Sequence, residues 1–99
     1  MSRSREHVGT DIGAGVCVIV VDSDPGDGPL LHRHPYEEVF VMHEGEATFT
    51  LGDEQIVAKP GDVLVAPAGT PHKFVNTGTG RLRQVDIHAS PEFQTEWLE

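Results

Sequence analysis

His32 and His34 sit one residue apart, and a carboxylate, Glu38, follows four residues after the second. On an extended strand successive side chains point to opposite faces, so these two imidazoles share one face. Their Cα atoms are then roughly 6.6–6.8 Å apart, close enough for both rings to reach one ion. Pro35 fixes φ and lacks an N–H, so the strand stops there and the chain turns. That turn could bring Glu38 back to the same face from the next strand. Alternation then selects Glu38 over its neighbour Glu37. Taken alone, such a histidine pair is more often solvated or hydrogen-bonded than metal-bound. His72 is the natural further donor, because the stiff loop Pro67-Ala68-Gly69-Thr70-Pro71 delivers it at the start of a strand. Three neutral imidazoles and a carboxylate suit one divalent first-row ion, with one or two positions open if coordination is five or six. Fe, Mn, Ni, Co and Zn all fit this donor set.

The whole chain bounds what such a site could serve. Its 99 residues predict one domain, spanning 1–99, with one core of modest size. Additional burial in a homodimer is expected on size grounds. Seven basic against 16 acidic residues give a net charge of −9, which argues against nucleic acid and against an anionic membrane as partners. Cys17 is the only cysteine, so no intramolecular disulfide forms, and its apolar surroundings predict a small buried hydrophobe. The N-terminus lacks an apolar stretch of secretory type, and no run approaches a membrane span. A cytoplasmic protein is the expectation.

The elements that must position the donors read as strands. Residues 1–10 are polar and are expected to be loosely held. Val16–Val21 is β-branched and reads as a strand buried on both faces. Residues 22–29, rich in Asp, Gly and Pro, form a loop without calcium-loop spacing. Further strands are predicted over 30–34, 38–42, 46–51, 55–58, 63–66 (short and buried), 72–76 and 81–88, separated by Gly- and Pro-containing turns. Strands recurring every eight to twelve residues, with no sustained helical periodicity between them, predict an all-β antiparallel sandwich or barrel. The tail is ambiguous: Ser90-Pro91 could start a helix, while Phe93, Thr95 and Trp97 also fit strand alternation. Trp97 needs something to cover it, and packing across a dimer interface is expected.

These residues resemble a known family. Gly26, His32-Arg33-His34, Glu38 and Gly45 match every fixed position of the first cupin motif, over 26–45. Gly61, Pro67, Gly69, His72 and Asn76 match the second, over 61–76, and fifteen residues separate the two. The resemblance implies a small single-domain cupin, a jelly-roll β-barrel with a metal in its mouth. It also implies that His32, His34, Glu38 and His72 are the ligands. Dimerisation is common in such proteins. Gly45 and Gly61 stand where tight turns need positive φ or close approach.

If the ligands face inward, alternation carries Leu30, Phe40 and Met42 inward with them, and Phe74 joins from the second motif. The mouth then presents an apolar, aromatic wall suited to a small molecule. Met42 and Phe74 could equally be plain barrel core, and Tyr36 could sit at the mouth or on the surface. On the last strand Gln84, Asp86 and His88 share a polar face, and Gln84 and His88 join the candidate pocket if that face is the inner one. His7 and His43 are expected to be solvated. Function divides between a metal-dependent enzyme of dioxygenase type, with Glu38 doubling as a base if loosely bound, and a metal-dependent binding or sensor protein without turnover. Isomerase or lyase chemistry, and a metal that serves only stability, remain open beside them.

Overall fold

The computed structural model describes residues 3–99. Its elements are β1 (Arg5–His7), a one-turn helix α1 (Gly9–Ile12), β2 (Cys17–Ser23), β3 (His32–Arg33), β4 (Glu38–Glu44), β5 (Ala47–Leu51), β6 (Glu54–Ala58), β7 (Val63–Ala66), β8 (His72–Asn76), β9 (Leu82–His88) and β10 (Glu96–Trp97). They form two five-stranded sheets, in the orders β1-β2-β9-β4-β7 and β10-β3-β8-β5-β6. The strand pairings are antiparallel. The two sheets face each other as the antiparallel sandwich or barrel expected from the strand pattern and the jelly roll implied by the cupin resemblance.

Alternation explains the packing. Along β4, Glu38, Phe40 and Met42 are buried while Val39 and Val41 face outward. Along β8, His72, Phe74 and Asn76 are buried. At the closed end of the barrel Phe49 packs edge-on to Phe40 at 4.8 Å between ring centres, and lies 5.3 Å from Phe74. Leu82, Ala47, Ala58 and Ala66 fill the space around them and are wholly buried. Truncating Phe49 to Ala there would cost about 3–5 kcal/mol, from lost transfer energy plus a cavity.

Two motif residues outside the donor set are structural. Gly45 turns the chain at φ 84°, and a Cβ there would come within 2.3 Å of the Arg81 carbonyl. Only glycine tolerates both conditions. Asn76 donates from Nδ2 to the carbonyls of Ser23 and Gly80, and its Oδ1 accepts from the Gly78 N–H. It thereby stitches β2 to the turn before β9.

Several sequence expectations need correction. Residues 5–7 are not loose; they form β1, paired with Val18–Val20. Met1 and Ser2 lie outside the described residues. Neither β2 nor β7 is buried on both faces: Val20 is 37% exposed, Val63 62% and Val65 46%. Among the described residues nothing covers the outer side of that sheet, so a run of β-branched residues there does not imply double burial. The predicted strand over 30–34 shrinks to His32–Arg33, and Leu30 is exposed rather than inward-facing. Pro29 and Pro35 flank this short segment and cannot donate to a ladder. The tail resolves as strand, with Trp97 paired to His32.

Candidate metal centre

The candidate donors come from three strands and both sheets. His32 on β3 and His72 on β8 are directly opposite partners in one sheet. Glu38 opens β4 in the facing sheet, opposite His88 of β9. His34 lies in the turn after β3. One donor atom from each of His32, His34, Glu38 and His72 lies within 4.8 Å of the other three, and all four residues are buried. His88, which alternation placed on the polar face of the last strand, reaches the same cluster: its Nε2 is 3.0 Å from Glu38 Oε2.

Backbone carbonyls set the tautomers. His32 Nδ1 lies 2.7 Å from the Leu30 carbonyl, His34 Nδ1 2.8 Å from that of Gln94, and His72 Nδ1 2.9 Å from that of Thr70. A carbonyl only accepts, so each Nδ1 carries the proton and each neutral Nε2 presents a lone pair inward. Held this way, imidazoles are oriented as metal-ligating histidines are. His34 Nε2 and His72 Nε2 both approach Glu38 Oε1, at 3.1 and 3.0 Å. His34 Nε2 has no aligned hydrogen-bond partner there. Lone pairs converging on a carboxylate oxygen repel unless a cation or extra protons stand among them. The donor set therefore fits a divalent ion chemically.

Electrostatics follow from burial. Burial would raise the proton affinity of Glu38, but where the facing Nε2 atoms of His34, His72 and His88 carry the extra protons, those N–H groups outweigh it and hold the carboxyl well below its ordinary range. Burial is also the largest influence on His32, and it pushes the imidazole towards the neutral, metal-binding form. Asp86 differs. It is 2% exposed, and burial, reinforced by the Glu38 charge, pushes its carboxyl well above the usual range despite a 2.8 Å hydrogen bond from Gln84 Nε2. Asp86 thus favours the neutral acid.

The cluster opens into a cavity of about 800 Å³ between the sheets. All four candidate donors line it, together with Phe40, Phe74 and His88 from the predicted pocket. Met42, Gln84 and Tyr36 do not. Met42 belongs to the apolar core, opposite Gln84 and deeper than the donor row. Gln84 is occupied with Asp86, and Tyr36 stacks on His34 with ring centres 5.0 Å apart. Asp86, Phe93, Thr95 and Trp97 line the cavity without having been singled out as pocket residues from sequence. Asp86 was legible as the residue between Gln84 and His88 on one face of β9. The tail was not legible, because its grip on His34 is a main-chain carbonyl.

A two-sheet jelly roll with a buried three-histidine, one-carboxylate cluster defines the class. The profile of the cupin domain family matches residues 19–88, and the chain belongs to that family. It is 39% identical over 59 residues to the uncharacterized protein MJ1618 of Methanocaldococcus jannaschii, covering 59% of this chain and 47% of that protein. It is 38% identical over 64 residues to the cupin-domain-containing oxidoreductase srdB of Neurospora crassa, covering 64% of this chain and 32% of that one. The chain thus spans just under half of the first relative's length and just under a third of the second's. Among solved structures it resembles Bacillus subtilis oxalate decarboxylase, described for its Mn(II) centres, with a TM-score of 0.88 and 21% identity over 98% of this chain and 28% of that one. At that identity the likeness concerns the fold. No helix of the described residues is long and apolar enough to cross a membrane.

Proposed function

We propose that this single cupin domain binds one divalent transition metal through His32, His34, Glu38 and His72 and acts as an oxidoreductase of dioxygenase type on a small organic substrate. The observation that carries the reading is the convergence of three inward lone pairs and one carboxylate at the head of a cavity with an aromatic wall. A bound redox-active ion would supply Lewis acidity and electron transfer at its open positions. The protein's own residues do the rest. The backbone carbonyls of Leu30, Gln94 and Thr70 orient the imidazoles, Phe40 and Phe74 exclude water from the cavity floor, and Trp97 screens His32 from above at 5.0 Å. Oxidative chemistry is favoured over hydrolysis because the two buried carboxyls beside the donors make poor general bases: Asp86 favours its neutral form and Glu38 holds protons poorly. That weak proton affinity also favours Glu38 as a ligand over a base. The relative described as an oxidoreductase points the same way.

We place the working form as a homodimer in the cytoplasm. The outer side of the first sheet carries two aligned rows of aliphatic residues, Val18–Ile87–Val39–Val65 and Val20–Val85–Val41–Val63. A flat apolar face across four strands suits a second copy better than water. Cys17, buried beside the Gly9 N–H, suits a reducing compartment.

The test is oxygen uptake by Fe(II)-reconstituted protein against a panel of catechols, flavonols, thiols and β-diketones. Uptake dependent on one substrate class is the expected result. Tight ligand binding without uptake for any class would replace the enzyme by a metal-dependent binding protein.

A further inference from the structure

His88 is a buried group that the donor set leaves unused. It is 3% exposed and lines the cavity. Its Nδ1 lies 2.7 Å from the Tyr36 hydroxyl. That hydroxyl oxygen already accepts the Gln94 N–H at 3.3 Å, and among the described residues Nδ1 is the only acceptor for its proton. Tyr36 therefore donates to Nδ1, and the neutral imidazole must carry its own proton on Nε2. This tautomer is opposite to that of His32, His34 and His72, whose Nδ1 atoms face carbonyls. The three offer lone pairs to the cavity, and His88 offers an N–H. Although 3.0 Å from Glu38 Oε2, His88 Nε2 has no aligned hydrogen-bond partner. A buried donor without an aligned acceptor is costly, and an incoming acceptor would relieve that cost.

Charge selects the acceptor. A divalent ion held by one carboxylate ligand and three imidazole ligands keeps a net positive charge, and the His88 N–H beside it favours an acceptor oxygen that carries negative charge. We propose that His88, held in one tautomer by Tyr36, is the specificity-determining donor of the cup, its Nε2–H binding an oxygen of a small monoanionic organic ligand. Tyr36 is the positioning residue. The proposal rests on the metal-binding reading above and names the class of molecule that site would take.

The test loads the protein with Co(II), titrates acetate as the probe, and follows the cobalt absorption bands. Wild type and all variants should keep one Co(II) per chain. His88→Leu should bind acetate roughly 10- to 100-fold more weakly, the loss expected for one hydrogen bond to a charged acceptor. His88→Gln, which keeps an N–H donor, should restore most of the affinity. Tyr36→Phe keeps the ring, removes the proton that sets the tautomer together with the acceptor of the Gln94 N–H, and should weaken acetate several-fold while one Co(II) per chain is retained; it decides the matter if His88→Leu does not fold. Unchanged acetate affinity in cobalt-loaded His88→Leu or Tyr36→Phe would overturn the proposal and leave the metal site standing. Wild type that takes up no Co(II) would overturn both.

Discussion

Ending the chain at Glu92 removes one of the three carbonyls that orient the imidazoles and leaves the other two. His34 loses the Gln94 carbonyl, whereas His32 keeps that of Leu30 and His72 keeps that of Thr70. Losing such an outer contact typically costs 10- to 100-fold in metal affinity, or about 1.4–2.7 kcal/mol. The fold should survive. The removed segment contributes the two-residue pairing of Glu96 and Trp97 with Arg33 and His32, backbone bonds from Leu98 to Leu31 and from Gln94 to the Tyr36 hydroxyl, the Leu31 N–H to Glu99, side-chain contacts of Thr95 with His34 and of Phe93 with His88, and surface ion pairs such as Arg33–Glu96. Exposed pairs of that kind are worth roughly 0–1 kcal/mol. Trp97→Ala serves as the control, since it strips the ring from above His32 but keeps the Gln94 carbonyl; its affinity should stay within about threefold of wild type. The assay is competition for Zn(II) against a chromophoric chelator, with circular dichroism to confirm folding. A folded truncated chain that binds Zn(II) as tightly as wild type would refute the orienting role of Gln94. So would a Trp97→Ala variant that loses as much affinity as the truncation.

Two further outcomes follow from burial. Asp86 has a folded-state proton affinity raised above its unfolded value, so it penalises the folded state once pH rises past the ordinary carboxylate range. Glu38 is depressed and works in the opposite sense, its stabilisation being present at neutral pH and lost as pH falls below that range. Asp86→Asn should therefore raise the melting temperature at pH 7 relative to pH 4; an Asp86→Asn effect that is equal at both pH values would contradict the buried neutral acid. At the outer sheet face, Val41→Glu combined with Val65→Glu should convert a dimer to a monomer in sedimentation experiments while leaving metal content unchanged. Wild type that sediments as a monomer at high concentration would remove the dimer from the account.

Much of this architecture is readable from alternation and spacing. Glu38, Phe40 and Met42 lie on one face of β4 as period two requires, and the histidines lie where two motif-spaced segments meet. What escaped the sequence has a common physical origin. The apolar runs of β2 and β7 are compatible with double burial, and only the sheet order shows that their outer faces have no cover. β9 inverts the usual rule, with Gln84, Asp86 and His88 inside and Arg83, Val85 and Ile87 towards the outside, because the interior here is a polar cup and not pure core. β1 pairs through backbone groups, with all three side chains exposed, and so carries no hydrophobic signature. The role of Gln94 is carried by its main chain, which any residue would supply.

Four side chains drawn from both sheets are placed to hold one metal ion. Elemental analysis of protein purified without chelators and reconstituted with Mn(II), Fe(II) or Zn(II) tests this most directly. One equivalent per chain is expected for wild type, with none retained after desalting of His34→Ala or His72→Ala. A full equivalent in both variants would contradict the claim.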